Sequence, residues 1–529
     1  MKQLFRTLAL IYRCDRGATI RNALYVVFLS LLPLVNLYIL KLLIDSLERG
    51  DSGSWAVYLG IMCAVFLLHR TISSLADINH DVLGQRMMDY MGDIVQRQAT
   101  SVDMASFDRP EYHDIFHRAQ QESVHRPLQI LDSFMSLFGN ILSLVGVTAM
   151  LLTASWLTVV VMVVVVMPGF AVRLYKARSL YALRRDNTQL YRRTSYLSAL
   201  LTSRESAKEI RAFRLAPFFR RHYVETRARL SSLLLDISRR IGVMDILCAV
   251  VETLAMLVVV ALLVRRSLAG AITIGTFVML FEAFRRGQRY MSTLVTSVAR
   301  LYDNRLFISN LFEFLSLKPN IVSPSDPIAV PEKIDSIELR DVTFRYQDMD
   351  RNVLEHFNLT ARSGEICRLD GYNGFGKSTV VKLLLRLYDP DSGAVLVNGI
   401  DIRCFDLVEW RSRVAVLFQD FVKYSFTVEE NLAFGNSRIK TKPVASLLSF
   451  VEGLPKGYNT LLGRVFDGGS ELSMGQWQRV AIARTMASDA PVMLFDEPLA
   501  WLDMASRQEF NEVIETLVPG RIVIIISHR

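Results

Sequence analysis

Six apolar runs in the first 300 residues restrict this chain more than any other feature. The first, Ala23 to Ile44, is long enough to cross ~30 Å of hydrocarbon. Without water to bond to, its backbone must close its own hydrogen bonds, so the run is expected to be helical. Pro33 lies inside it and is expected to kink it, which a packed membrane helix tolerates. The second run, Trp55 to Leu68, is short but continues through His69 and Arg70 into a long helical stretch. The third and fourth, Phe134 to Leu152 and Trp156 to Val172, are separated only by Thr153 to Ser155 and read as a tight hairpin. The fifth is Ile241 to Val264, and the sixth starts near Ala271 and becomes charged at Glu282.

Basic residues orient the runs. Lys2, Arg6, Arg13, Arg16 and Arg21 precede the first, and the stretch from Arg173 to Arg240 is dense in arginine. The loop after the first run carries Asp45, Glu48 and Asp51 instead. The positive-inside rule then places both termini in the cytoplasm, with Arg265 and Arg266 outnumbered on the outer side. Net charge is +9, and the basic residues flank apolar runs, so the charge points to an anionic membrane surface and not to nucleic acid. Met1 to Arg21 is polar and basic, and the run after it is too long for a cleavable signal. The five cysteines (Cys14, Cys63, Cys248, Cys367, Cys404) form no CxxC pair, so neither a zinc site nor a disulfide framework follows.

The stretches after the second and fourth runs read as helices extending the spans into the cytoplasm. Each is interrupted, first at Phe107-Asp108-Arg109-Pro110-Glu111-Tyr112, where Pro110 suits a helix start, and again at Glu209-Ile210-Arg211-Ala212-Phe213, with Pro217 beyond. Pro319, Pro324, Pro327 and Pro331 then mark a linker. Past it the pattern changes to short strands alternating with helices. Ile337 to Arg340 alternates with period two, Asn398-Gly399 signals a hairpin, and Val492 to Phe495 and Ile522 to Ile526 read as buried strands. The fold class is therefore a polytopic helical membrane domain, 1–318, followed by a linker, 319–333, and an α/β P-loop domain, 334–529.

Gly371-Tyr372-Asn373-Gly374-Phe375-Gly376-Lys377-Ser378 fits G-x4-G-K-S between a strand, Glu365 to Leu369, and a helix, Thr379 to Leu387. In such a loop glycines let backbone N–H groups close on phosphates, and the helix N-terminus favours negative charge. Lys377 is expected to reach the β- and γ-phosphates of ATP, and Ser378 to bind Mg²⁺. Downstream, Val492 to Phe495 leads into Asp496 and Glu497. A carboxylate at a strand end suits the Mg²⁺ shell, and its neighbour suits activation of the attacking water.

With those elements in place the chain resembles the ATP-binding-cassette exporters, half-transporters with a type IV membrane fold. Leu472-Ser473-Met474-Gly475-Gln476 is similar to the family's signature motif, Gln419 to its Q-loop glutamine and Asp503 to its D-loop. His528 is similar to the switch histidine and Tyr346 to the aromatic that stacks on adenine. The resemblance covers the whole chain. It implies cofactor contacts from Tyr346, Gly371, Asn373, Gly374, Phe375, Gly376, Lys377, Ser378, Thr379, Gln419, Ser473, Gly475, Gln476 and Asp503. It also implies catalytic roles for Lys377, Glu497 and His528, and metal contacts from Ser378, Gln419 and Asp496. Two ATPase domains would meet head to tail, so a second half-transporter, identical or related, is the implied partner, alongside membrane lipid and a transported substrate. Coupling helices would fall near 104–118 and 206–219, in a plasma (inner) membrane protein with a cytoplasmic ATPase domain.

Departures from the family pattern are Met474 for the usual glycine, Phe375 for a small residue, and a bulky Trp501. The chain stops at Arg529 where family members continue, so its ATPase domain is expected to be truncated. Gln476-Trp477-Gln478-Arg479, after Gly469-Ser470-Glu471, is similar to exporters of modified bacterial peptides, and leader cleavage by a leader-peptidase domain ahead of the first span is not expected of this chain. Substrate thus stays open among peptide, lipid and drug-like classes. A rival reading is a non-transporting membrane regulator switched by ATP, and another is an importer. Intact Lys377, Asp496 and Glu497 oppose the first, and the fused architecture opposes the second. Within the spans Asp245, Glu252, Glu282, Arg285, Arg286 and Arg289 are unusual, and they are expected either to pair internally or to face the substrate.

Overall fold

A computed structural model of the chain describes residues 2–51, 53–109, 112, 115–116, 119–120, 126–153, 156–347, 349–371, 376–434 and 444–527. It divides into two units, 1–100 with 115–316, and 101–114 with 317–529.

The described helices before the linker, in chain order, are α1 (Lys2–Cys14), α2 (Arg16–Glu48), α3 (Ser54–Ser101), α4 (Met104–Phe107), α5 (Arg126–Leu152), α6 (Trp156–Asp186), α7 (Thr188–Thr202), α8 (Arg204–Ala212), α9 (Ala216–Leu268) and α10 (Ile274–Leu315). Local chemistry sets several of their ends. Asp15 separates α1 from α2 and caps the latter by accepting the Ala18 N–H at 2.8 Å. Thr273 caps α10 by accepting the Thr276 N–H. Pro33 lies inside α2, as expected of a membrane helix.

Among the described residues five helices are long and apolar enough to cross a membrane: α2, α3, α5, α6 from Trp156 to Leu180, and α9. The sixth apolar run does form a helix, α10, but Glu282, Arg285, Arg286 and Arg289 keep it out of that class. Leu34 and Leu37 of α2, Val147 and Leu151 of α5, Met162 of α6, Val259 and Leu263 of α9, and Met279, Leu280, Ala283 and Phe284 of α10 form one buried cluster. Polar groups tie the same helices. Ser143 Oγ donates to the Ser30 carbonyl at 3.1 Å, and Arg173 Nη1 donates to the Ser292 carbonyl at 2.5 Å. Glu282 pairs with Arg285 at 2.7 Å and lies 3.9 Å from Arg286, which also donates to the Pro33 carbonyl at 3.4 Å. The internal-pairing alternative therefore holds for Glu282.

The second unit has two sheets. Antiparallel β2-β1-β4-β5 uses β1 (Ser336–Phe344), β2 (Leu354–Arg362), β4 (Ser392–Val397) and β5 (Ile400–Asp401). Parallel β3-β8-β7-β6 uses β3 (Ile366–Asp370), β6 (Val414–Leu417), β7 (Val492–Asp496) and β8 (Ile522–Ser527). Asn398 and Gly399 both take left-handed conformations and join β4 to β5, the two-residue hairpin expected. β7 is buried at every position, which explains its unbroken apolar run. Helices α11 (Lys377–Leu384), α12 (Leu407–Ser412), α13 (Val428–Ala433), α14 (Met474–Met486) and α15 (Met504–Leu517) complete the unit.

Residues 101–114 cluster with this second unit although they lie between membrane helices in sequence. Asp103 accepts the N–H groups of Asn320 and Ile321, and the Tyr388 hydroxyl donates to Asp108. Burial, then that carboxylate, pushes the Tyr388 phenol far up.

Candidate nucleotide site

Strand β3 ends at Asp370, and α11 starts at Lys377 at the edge of a cavity of about 530 Å³. Tyr346, Gly376, Lys377, Ser378, Thr379, Gln419 and Glu497 all line it, so residues 151 positions apart in sequence meet here. Gly376 sits at φ 72°, and a Cβ there would lie 2.8 Å from Leu354 and 3.0 Å from the Val353 carbonyl. Only glycine takes that conformation in that space.

Lys377 is nearly buried. Its Nζ donates to the carbonyls of Gly371 at 2.6 Å and Ser527 at 3.0 Å. The ammonium is thus held between the β3 and β8 strand ends. Tyr346 shares a 3.0 Å hydroxyl–hydroxyl bond with Thr379, and its ring meets Tyr388 edge-on at 5.4 Å. Lys382 Nζ lies 5.1 Å from the Tyr346 ring centroid, a cation–π contact.

Asp496 closes β7 and is 3% exposed. Its Oδ1 has no hydrogen-bond partner among the described residues. Burial pushes its carboxyl up from the ordinary range, a hydrogen bond from Ser378 opposes this, Glu497 raises it further, and Lys377 lowers it. A buried carboxylate oxygen left open beside a serine hydroxyl fits a divalent cation. Glu497 follows at φ 52°, a left-handed conformation, and its N–H donates to the Ile526 carbonyl at 3.0 Å. The chain therefore turns sharply right after the metal-type carboxylate, which leaves the Glu497 side chain on the cavity wall.

Ser473, Gly475, Gln476 and Asp503 do not line this cavity. They sit at helix starts. Ser473 caps α14 in a reciprocal box with Gln476, at 3.2 and 2.9 Å. Asp503 caps α15, and the Ser506 N–H, at 2.8 Å, holds its carboxyl below the usual range. A Cβ on Gly475 would lie 2.9 Å from the Trp501 carbonyl, so α14 and the loop before Asp503 approach too closely for a side chain. Met474 and Trp501 are both exposed. Asn373, Gly374 and Phe375 of the phosphate loop, and His528, lie outside the described residues.

Sequence reasoning missed Gln478. It is buried in α14, and its Nε2 donates to the carbonyls of Pro498 at 2.6 Å and Glu497 at 3.2 Å. Its Oε1 accepts the Trp501 N–H at 2.9 Å. Arg484, two turns on, donates to Asn431 Oδ1 at 2.8 Å and lies over the Tyr424 ring at 4.6 Å. Asn431 Nδ2 in turn donates to the carbonyls of Tyr424 and Thr427. One helix thus holds both the loop after Glu497 and the loop after Gln419. The available signal was a glutamine and an arginine on the apolar face of a helix.

Residues 354–500 match the family model described as ABC transporter. The chain is an ABC transporter of the exporter type. It is 26% identical to the subtilin transport ATP-binding protein SpaT of Bacillus subtilis, over 100% of this chain and 88% of that protein. It is also 26% identical to the nisin transport ATP-binding protein NisT of Lactococcus lactis subsp. lactis, over 99% and 88%. An ATP-dependent lipid A-core flippase of Syntrophus aciditrophicus is 32% identical over 49% of this chain and 43% of its own length. In structure the ABC transporter is similar to a bacterial Atm1-family ABC exporter with ATP bound, with a TM-score of 0.76 at 22% identity, covering 98% of this chain and 91% of the other. The fold is the type IV exporter fold, a helical membrane domain with an ABC ATPase domain. This ABC transporter is a multi-pass membrane protein that binds ATP and couples its hydrolysis to export.

Proposed function

We propose that the chain exports a peptide from the cytoplasm by alternating access, as half of a dimer that shares two ATP sites. The observation that carries this is the cavity joining Tyr346, Lys377, Ser378, Gln419 and Glu497, with the open Asp496 oxygen beside Ser378. Lys377, with the loop amides, holds the β- and γ-phosphates. Ser378, Asp496 and Gln419 would hold Mg²⁺, which when bound would neutralise charge on the phosphate oxygens. Glu497 orients the attacking water and accepts its proton, and His528 takes the part of the family's switch histidine. Tyr346 stacks on adenine.

In this reading Ser473, Gly475, Gln476 and Asp503 act on the ATP of the second subunit, which agrees with their lying away from the cavity of their own chain. Residues 1–318 form the membrane domain, 319–333 the linker and 334–529 the ATPase domain. The segments 104–118 and 206–219 pass motion between them. The ATPase domain faces the cytoplasm of an inner membrane. Peptide is preferred over lipid because the full-length similarities are to proteins named for subtilin and nisin transport.

Glu497→Gln tests the reading. Phosphate release should fall by about 100-fold or more while ATP stays bound. Native mass in nanodiscs should show two chains once ATP is trapped. A variant that hydrolyses ATP at the parent rate, or a fully active monomer, would overturn it.

A further inference from the structure

Helix α10 carries a polar stripe. Glu282, Arg285, Arg289, Thr293, Thr296 and Arg300 recur every three or four residues and fall within an arc of ~80° at 100° per residue. The stripe runs ~27 Å along the helix at 1.5 Å per residue and starts ~12 Å from Ile274, so Glu282, Arg285 and Arg289 fall within the ~30 Å hydrocarbon thickness and Arg300 lies towards its cytoplasmic end. Its members are exposed or half-buried on unit 1, whereas Leu280, Ala283 and Phe284, on the far side, are buried.

The charges along it do not cancel. Glu282 is taken up by Arg285 and Arg286. The Arg289 side chain, one turn deeper, has no hydrogen-bond or ion-pair partner among the described residues, and Arg300, whose charge acts on Asp132 of α5, extends the positive end. Nearby, Asn36 Oδ1 and Gln288 Nε2 are enclosed polar atoms without hydrogen-bond partners among the described residues, and Arg286 Nε has only its 3.9 Å ion pair with Glu282. Such a surface at membrane depth faces a water-filled space and not lipid tails.

We propose that this stripe lines the export path and binds carboxylates of an extended acidic peptide during passage. The inference rests on the export reading and adds the charge of the substrate. Its length favours an extended chain that can meet Arg285, Arg289 and Arg300 in turn. A lipid would need apolar lining for its acyl chains along the same track, and the stripe offers none.

The test places a cysteine at Thr293, or at Thr296 as a second position, after replacing the five native cysteines with serine. Labelling by an anionic methanethiosulfonate sulfonate is compared with labelling by its cationic trimethylammonium counterpart. The protein is the nucleotide-free dimer in nanodiscs. The anionic reagent should be favoured ~10-fold relative to a free thiol, because a cleft lined by one sign of charge concentrates its counter-ion. Arg285→Gln with Arg289→Gln should abolish the preference. A glutamate-rich decapeptide should slow labelling, and a lysine-rich one should not. Equal reactivity towards both reagents, no reaction at either position, or protection by phosphatidylglycerol nanodiscs alone would overturn the proposal. ATPase activity of the unlabelled parent separates the two claims. Absent charge preference with intact ATPase removes the acidic-peptide site alone. A preserved preference with no ATP-dependent change in labelling counts against export and leaves the site standing.

Discussion

The two units solve burial in opposite directions. In the membrane unit large apolar side chains point outward: Leu67 is 70% exposed, Trp156 69%, and Val243, Ile246, Leu247, Val250, Leu254 and Leu257 line the outside of α9. Its buried set includes Asn22, Ser30, Asp45, Asn79, Ser133 and Ser143. In the ATPase unit Val492, Met493, Leu494 and Phe495 of β7 are fully enclosed, and so are Val523 and Ile524 of β8. The difference follows from the solvent. Lipid tails are as apolar as leucine, so membrane helices gain little by hiding such residues and associate through packing and polar contacts. Water drives the second unit to enclose them.

That contrast breaks most sharply under paired truncation. Leu494→Ala in β7 should cost ~2–5 kcal/mol through lost burial and a cavity. Leu254→Ala on the exposed side of α9 should cost under ~1 kcal/mol, since surface changes of this kind are small. Thermal melts of both variants in nanodiscs would check this, and equal losses would show that α9 is covered by protein.

A smaller effect is expected at Gln478, where the ATPase unit behaves like the membrane unit by burying a polar tie. Gln478→Ala leaves the Pro498 carbonyl and the Trp501 N–H without their partner, at ~1–3 kcal/mol per unsatisfied group. Hydrolysis should fall with stability, because the loop that holds Glu497 loosens, while ATP binding persists. Unchanged phosphate release with a lowered melting temperature would make Gln478 purely structural.

The smallest shift concerns Asp496. Its folded carboxyl pKa is raised above the unfolded value, chiefly by burial. The native state therefore binds the proton more tightly, and this contribution to stability is lost as pH rises through the folded pKa. Asp496→Asn should raise the nucleotide-free melting temperature by a few degrees at pH 7.5 and by less as pH falls through the carboxylate range. The same variant should lose the stabilisation that added Mg²⁺ with ATP gives the parent. A lower melting temperature at every pH would mean that the carboxylate is already satisfied.

Much of this was legible in the residues. A twenty-residue apolar run has one way to satisfy its backbone in lipid, so the spans could be placed without tertiary information. Gly376-Lys377-Ser378 after a strand and the paired Asp496-Glu497 after another carry their chemistry in their spacing; the cavity gathers all of them but Asp496, which lies beside Ser378. The sixth run was harder, because Glu282 to Arg289 break the hydropathy that defines a span while helical spacing continues. Ser473, Gln476 and Asp503 were legible as a motif, but their visible work in one chain is capping helices.

By itself, then, the sequence determined the helical spans, the alternation of short strands and helices, and the nucleotide-loop residues, because each rests on contacts between near neighbours or on a solvent that admits one backbone solution. Tertiary structure alone decided three things. It tied Gln478 and Arg484 to two distant loops, clustered residues 101–114 with the ATPase unit, and left one oxygen of Asp496 open beside Ser378. Each of these depends on which far-apart groups the fold brings within about 3 Å, and hydrogen bonds act only at that range.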